Sequence, residues 1–298
     1  MLSPDRAGDA VRKPRNDEID VFGITHPGHV RPENQDHFLI GSLGNRLSVL
    51  QTSLPNVPVL DPVIPGLPPT ERAAFLAAVA DGVGGGRHGE EASRLAVEAV
   101  TLYIARTLHC YYTTNPANDD DFIDALRAAA RETHEEILRR DGGEDRRHGM
   151  ATTLTLWLGI WPRAYVLQVG DSRYYLLRNG ELTQVSRDQT VAQELIDQGV
   201  LSWMDASRTR WANVLSSAIG GPQSVPIVTS IRNDWTTTHL LCSDGLTKHV
   251  SDAEISRHLA GMTSARQACE DLLQAALDGG GRDNISIVVG RAVARENV

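Results

Sequence analysis

Cysteine is scarce in this chain and badly spaced for chemistry. Its 298 residues include three, Cys110, Cys242 and Cys269, an odd number, far apart and without a C-x-x-C pair. That pattern argues against a disulfide framework or a cysteine-based zinc site and points to a reducing compartment. Long apolar runs are missing too, since nothing approaches the roughly 18 residues that span a bilayer. The polar start MLSPDRAGDAVRKPRNDEID lacks a signal-peptide core, so a cytoplasmic protein is expected. Basic charge is in deficit, with 29 Lys and Arg against 38 Asp and Glu for a formal charge of -9. Neither nucleic acid nor an anionic membrane is therefore an expected partner. No internal repeat is visible.

What is present is an ordinary globular balance of 41% hydrophobic and 22% charged residues. Residues 1–18 are charged and poor in large apolar side chains, which predicts a mobile tail; residues 19–298 form the remaining body. Strands are expected near 20–25, 36–41 and 74–80. Between the last two lies SLPNVPVLDPVIPGLPP (53–69), whose six prolines remove backbone donors and predict a long inserted loop. From Gly89 onward Ala92, Leu95, Ala96, Ala99, Leu102 and Tyr103 recur at helical spacing, with Glu90 and Glu91 in the first turn. A second helix follows Asn118 or Asp119, with Phe122, Ile123, Leu126, Ala130 and Ile137 as its apolar face.

The middle of the chain reads as strands: ATTLTLWLGI, AYVLQVG and YYLLRNGELTQV. Asn179-Gly180 predicts a two-residue hairpin, because both central positions of a type I′ turn need positive φ. A helix near 189–198, an irregular Trp-containing stretch (199–214), strands at 225–232 and 238–243, helices at 252–260 and 264–277, and a last strand NISIVVGRA complete the chain. Strands grouped in the middle, with helix pairs before and after, predict α+β layers.

One pattern repeats across these elements. In VADGVGGG (79–86) an apolar strand runs into Asp81 and a glycine-rich turn. By itself Asp-Gly is ordinary turn chemistry. However, HLLCSDGL places Asp244 directly after a strand, GRDNISIVV places Asp283 directly before one, VLQVGDSRYY sets Asp171 between two, and RPENQDHFLI starts one with Asp36. If these ends converge, two like charges about 4 Å apart repel by roughly 4 kcal/mol at an effective dielectric near 20. Such a cluster must then be protonated or neutralised by cations. All-oxygen ligands favour hard ions such as Mg²⁺ or Mn²⁺, and a two-metal acid cluster suits in-line attack of water on phosphorus.

The segments VRPENQD (30–36), ADGVGGGRHGEEAS (80–93), GMATTL (149–154), VGDSRYYLLRNGELTQVSRD (169–188), VLSSAIG (214–220), LLCSDGL (240–246) and GRDNISIVV (281–289) resemble those of the metal-dependent protein serine/threonine phosphatases of the 2C type, in their bacterial form. They occur in the family's order, which makes the match specific. The resemblance implies one domain, a four-layer α-β-β-α sandwich of two antiparallel sheets flanked by helix pairs, with a flap near 189–214. It also implies hydrolysis of phosphoserine and phosphothreonine on a phosphorylated protein substrate by a metal-activated water, opposing a cytoplasmic protein kinase, in a monomer that uses two Mn²⁺ or Mg²⁺ ions. Asp81 would bridge both metals, with Asp244 and Asp283 on one and the Gly82 carbonyl on the other. Arg31 would bind phosphate, Asp36 would hold metal-bound water, and Asn34 would fix their loop.

Departures from the family pattern are informative. Gln35 replaces a frequent glutamate, which removes one negative charge but keeps an acceptor. Val83 stands where some relatives have a histidine general acid, and valine cannot donate a proton. His88 nearby is expected to be a surface histidine. A third metal site would use Asp171 and Asp244 with an acid four residues on; Lys248 is there instead, which predicts a weakened third site. Trp203 and Trp211 of the flap are expected to pack it onto the body rather than grip substrate. Two other readings are a regulator that dephosphorylates one dedicated partner and a non-catalytic binding domain of the same fold.

Overall fold

A computed structural model describes residues 12–56, 67–68, 71–84, 87–113, 119–141, 149–206 and 209–294. Its strands are β1 (Ile19–His26), β2 (Asp36–Leu43), β3 (Leu47–Thr52), β4 (Ala74–Val83), β5 (Ala151–Thr152), β6 (Leu154–Ile160), β7 (Arg163–Val169), β8 (Arg173–Arg178), β9 (Glu181–Gln184), β10 (Ile227–Arg232), β11 (Thr237–Cys242) and β12 (Ile285–Ala292). The longer helices are α1 (Arg87–Thr113), α2 (Asp119–Arg140), α3 (Val191–Asp197), α4 (Asp252–Ala260) and α5 (Ala265–Asp278).

Two antiparallel sheets carry the fold. One runs β1-β12-β11-β8-β9 and the other β10-β7-β6-β4-β2-β3, with β5 added to β4. Antiparallel sheets commonly leave one face in water, which gives an alternating sequence. Here both faces are covered, which is why β4 begins AFLAAVA without alternation. Its Leu76, Ala78 and Ala80 join the core beneath α1 and α2, while Phe75, Ala77 and Val79 enter the layer between the sheets. On the other sheet β11 and β12 do likewise: Leu240, Ile287 and Val289 meet α4 and α5, and Leu241 and Val288 face inward. The result is the four-layer α-β-β-α sandwich.

Local chemistry sets the element ends. Asn179 and Gly180 have φ of 52° and 82°, and they join β8 to β9 with Arg178 opposite Glu181. Ser251 caps α4 in a capping box with Glu254, and Ser264 caps α5 through the Gln267 N–H. Helix α2 buries Phe122, Leu126, Ala130 and Ile137 as its spacing predicts, with Ala129 and Thr133 added.

Four expectations need correction. Strand β3 was not foreseen; it pairs with β2 across a register shift at Ile40/Gly41. Asp81 does not close its strand, because β4 continues to Val83 and pairs Gly82 and Val83 with Thr152 and Ala151 of β5. Residues 12–18 of the expected tail are tied to the body. Buried Glu18 accepts from Arg12 at 2.6 and 2.7 Å, Arg12 lies 4.7 Å over the Trp235 ring, and Trp235 Nε1 donates to the Arg12 carbonyl at 2.9 Å. The flap tryptophans do not pack away either: Trp203 is 73% exposed and Trp211 38%, with Arg210 stacked 4.5 Å over the Trp211 ring. Tail residues 1–11 and insertion residues 57–66 and 69–70 lie outside the described residues.

Candidate metal centre

Strand pairing brings the acids together. The β2–β4 register sets Asp36 directly opposite Asp81, an arrangement of like charges that opposes strand pairing. Cys242, the last residue of β11, lies between Arg173 at the start of β8 and Ile287 of β12. Asp244, Asp171 and Asp283, each within two residues of those strands, therefore collect at the same end of the sandwich. The charges of all four others act on Asp81, each disfavouring its ionised form.

Uncharged hydrogen bonds fix these carboxylates from behind. Thr153 Oγ1 accepts from the Asp81 N–H at 2.9 Å, and Thr152 Oγ1 donates to the Asp81 carbonyl at 2.8 Å. Ser243 Oγ donates to Asp36 Oδ2 at 2.7 Å and accepts the Ser286 N–H at 2.9 Å, which ties three of the aspartate segments together. Asn34 holds the preceding loop as expected: its Oδ1 accepts from Asp36 N–H at 3.1 Å and its Nδ2 donates to Thr25 Oγ1 at 2.8 Å. Asn284 does more for that loop, accepting from the Gln35 N–H at 2.9 Å and donating to the carbonyls of Pro27 and Glu33 at 3.0 and 2.9 Å. The supporting roles of Thr152, Thr153, Ser243 and Asn284 were missed by sequence reasoning. The available signal was their position inside GMATTL, LLCSDGL and GRDNISIVV, each beside an aspartate or in its strand-end partner segment.

Gly82 has a second reason to lack a side chain besides approach to a cation. A Cβ there would collide with the Gly89 carbonyl and come within 2.9 Å of the Gln35 carbonyl, so three segments of main chain could not meet. Gly245 is constrained similarly by the Asn284 carbonyl.

The electrostatics divide the cluster. Burial, then the charges of Asp36, Asp244, Asp171 and Asp283, push Asp81 well above the usual carboxylate range. Burial lifts Asp36 to about 7 against the Ser243 hydrogen bond. It lifts Asp171 to about 8, aided by Asp244, and raises Asp244 against the opposing charge of Lys248. Asp283 goes the other way: burial works to raise it, but hydrogen bonds from Arg31 and Lys248 outweigh that and hold it below its ordinary value. Arg31 grips Asp283 with both prongs, Nε to Oδ1 at 2.8 Å and Nη2 to Oδ2 at 3.2 Å. Lys248 Nζ reaches Asp244 Oδ2 at 2.5 Å and Asp283 Oδ2 at 2.9 Å, so its hydrogen bonds go to this pair rather than to Asp171.

Asp36 Oδ1 and Asp244 Oδ1 are buried and lack a hydrogen-bond partner. A buried acceptor without a donor is costly, and a carboxylate oxygen among other carboxylates is satisfied most simply by a hard cation. The donor set of Asp81, Asp244, Asp283, Asp171 and the Gly82 carbonyl thus fits Mg²⁺ or Mn²⁺ in chemistry. Among the described residues no three His, Cys, Asp or Glu side chains already close on a common point; the ammonium and guanidinium hold the outer acids instead. His88 is exposed on the first turn of α1, and Val83 is 36% exposed.

The Protein phosphatase 2C family model matches residues 69–279. This chain belongs to the protein phosphatase 2C family. A serine/threonine protein phosphatase of Mycobacterium tuberculosis, PstP, is 34% identical over 220 residues, 74% of this chain and 41% of that protein. The serine/threonine phosphatase stp of Listeria welshimeri is 32% identical over 212 residues, 71% of this chain and 82% of that one. The chain thus spans less than half the length of the mycobacterial relative. In structure, the catalytic domain of PstP in complex with two manganese ions is similar at a TM-score of 0.68 and 29% identity, covering 93% of this chain and 99% of that one. A Streptococcus agalactiae serine/threonine phosphatase has a TM-score of 0.73 at 23% identity, with 92% and 99% covered, which shows the fold alone. Structural likeness to this family extends beyond residues 69–279 and takes in most of the chain.

Proposed function

We propose that this protein phosphatase 2C member removes phosphate from phosphoserine and phosphothreonine on protein substrates, with two Mn²⁺ or Mg²⁺ ions held by Asp81, the Gly82 carbonyl, Asp244 and Asp283. The observation that carries this reading is the Asp36–Asp81 pair, a buried and a half-buried acid set opposite each other by strand register, with an unpartnered oxygen on Asp36 and another on Asp244. When bound, the ions neutralise these acids and activate water for attack on phosphorus. The chain's own groups do the rest. Arg31, whose planar fork is held by Asp283, would turn it to phosphoryl oxygens on binding substrate, the Asn34 and Asn284 hydrogen bonds hold its loop, and Asp36 stands ready to accept hydrogen bonds from water at the ions. Asp171 could serve a third, weaker site. Buried thiols at Cys242 and Cys269 support a reducing, cytoplasmic setting, in which the enzyme would oppose a protein kinase. Among the described residues no helix is long and apolar enough to cross a membrane.

The test is phosphate release from a phosphothreonine peptide with Mn²⁺, with Mg²⁺ and with chelator, for the native chain and Asp244→Ala. Turnover that needs metal and disappears in the variant is expected. Turnover in chelator, or a fully active Asp244→Ala protein, would sink the two-metal reading.

A further inference from the structure

Only two of the 29 basic residues are lysines, Lys13 and Lys248. In a chain that otherwise uses arginine throughout, one of the two stands inside the acid cluster. Its position is set locally: Lys248 follows the helical turn Asp244–Thr247, and its N–H donates to the Asp244 carbonyl at 2.9 Å. Spacing of four residues then puts the side chain over Asp244, while the fold brings Asp283, 35 positions away, to its other side. The ammonium lies 2.5 Å from Asp244 Oδ2 and 2.9 Å from Asp283 Oδ2, bridging the two acids that the family resemblance places on a single ion.

We propose that Lys248 is a built-in competitor for that ion, a tethered cation that holds the Asp244–Asp283 pair until a divalent metal displaces it. The inference rests on the two-metal reading above. Three observations support it. The chemistry suits a lysine better than an arginine, because an ammonium is a compact point charge with donors in several directions, whereas a planar guanidinium pairs best with the two oxygens of one carboxylate. Arg31 shows that second geometry, spending both prongs on Asp283 alone. The remaining oxygen of Asp244, Oδ1, is buried and unpartnered, so Lys248 satisfies one oxygen of this acid and leaves the other without a donor. Finally, the Lys248 side chain is 33% exposed, so the tether has a path to solvent. Ion and ammonium cannot share the same two oxygens, since like charges at such separation repel strongly. The two cations therefore exchange, and the metal-free cluster keeps a positive charge of its own.

Calorimetric titration of Mn²⁺ into the native chain and Lys248→Met, together with melting of each in chelator, tests the exchange. The variant is expected to bind Mn²⁺ at least about tenfold more tightly at one site and to melt lower than the native chain in chelator. Unchanged or weaker Mn²⁺ binding by the variant would overturn the inference while leaving the two-metal reading intact. No Mn²⁺ binding to the native chain would defeat that reading, and the inference with it. Should the variant not fold without metal, acetylation of the native protein gives a second readout, with Lys13 as internal reference. Labelling of Lys248 relative to Lys13 should rise several-fold on adding Mn²⁺; an unchanged ratio would reject displacement.

Discussion

Asp81 and Asp283 carry the same side chain at the same end of the same sandwich, yet the protein treats them in opposite ways. Asp81 lies within a central strand, opposite Asp36, and its surroundings push its carboxyl well up. Asp283 sits at the rim, where Arg31 and Lys248 hold it down. Burial acts on both in the same direction; what differs is whether a tethered cation can reach. The interior half of the cluster therefore needs an ion from solution, while the rim half has substitutes in the chain itself. An acid cluster is thus better described by which members lack a resident cation than by how many acids it has.

The largest break in this comparison should come from Asp81→Asn, which keeps the shape and removes the charge. Phosphatase turnover with Mn²⁺ should fall by at least about a hundredfold, yet the same variant should melt a few degrees higher than the native chain in chelator at neutral pH, because it no longer has to take up a proton at this raised acid in order to fold. A lower melting temperature there would show that the interior acids are not in conflict.

Acidity sharpens the contrast next. With metal removed, folded Asp36 and Asp171 hold protons up to about 7 and about 8, whereas the unfolded chain releases them near the usual value of about 4. A raised acid contributes stability that is complete below the unfolded value and is lost as pH rises through the folded one. Melting in chelator should therefore drop between pH 5 and 8, and the gain in melting temperature from Mn²⁺ should grow over the same interval. A flat chelator profile would contradict the assignment.

At the rim, Arg31→Lys keeps the charge but loses the fork. The expected cost is about tenfold in kcat/KM on a phosphothreonine peptide, near 1.4 kcal/mol, with little change in chelator stability because an exposed ion pair contributes at most about 1 kcal/mol. Smallest of all, Trp203→Ala should move stability by no more than about 0.5 kcal/mol, since the ring is 73% exposed. A larger loss by denaturant melting would mean that the flap packs on the body after all.

Much of this was legible beforehand where the cause is local. The Asn179-Gly180 hairpin, the α2 face and the extents of α4 and α5 follow from turn chemistry and from 3.6-residue periodicity. Strand β3 was hidden because LSVLQT is short and half-buried, with a turn before it and prolines after. The flap tryptophans were misread because size and apolarity predict burial only on average.

The sequence by itself determined that five aspartates would stand at or near strand ends, and the order of the motifs around them determined the family, because both are written in contiguous residues. Only the tertiary structure decided that Asp36 faces Asp81, that Ser243 and Asn284 tie separate segments into one site, and that Lys248 rests on Asp283 as well as on Asp244. The physical reason is that register and packing join residues 35 to 249 positions apart in the chain, and such contacts depend on which sheet faces meet rather than on any local pattern.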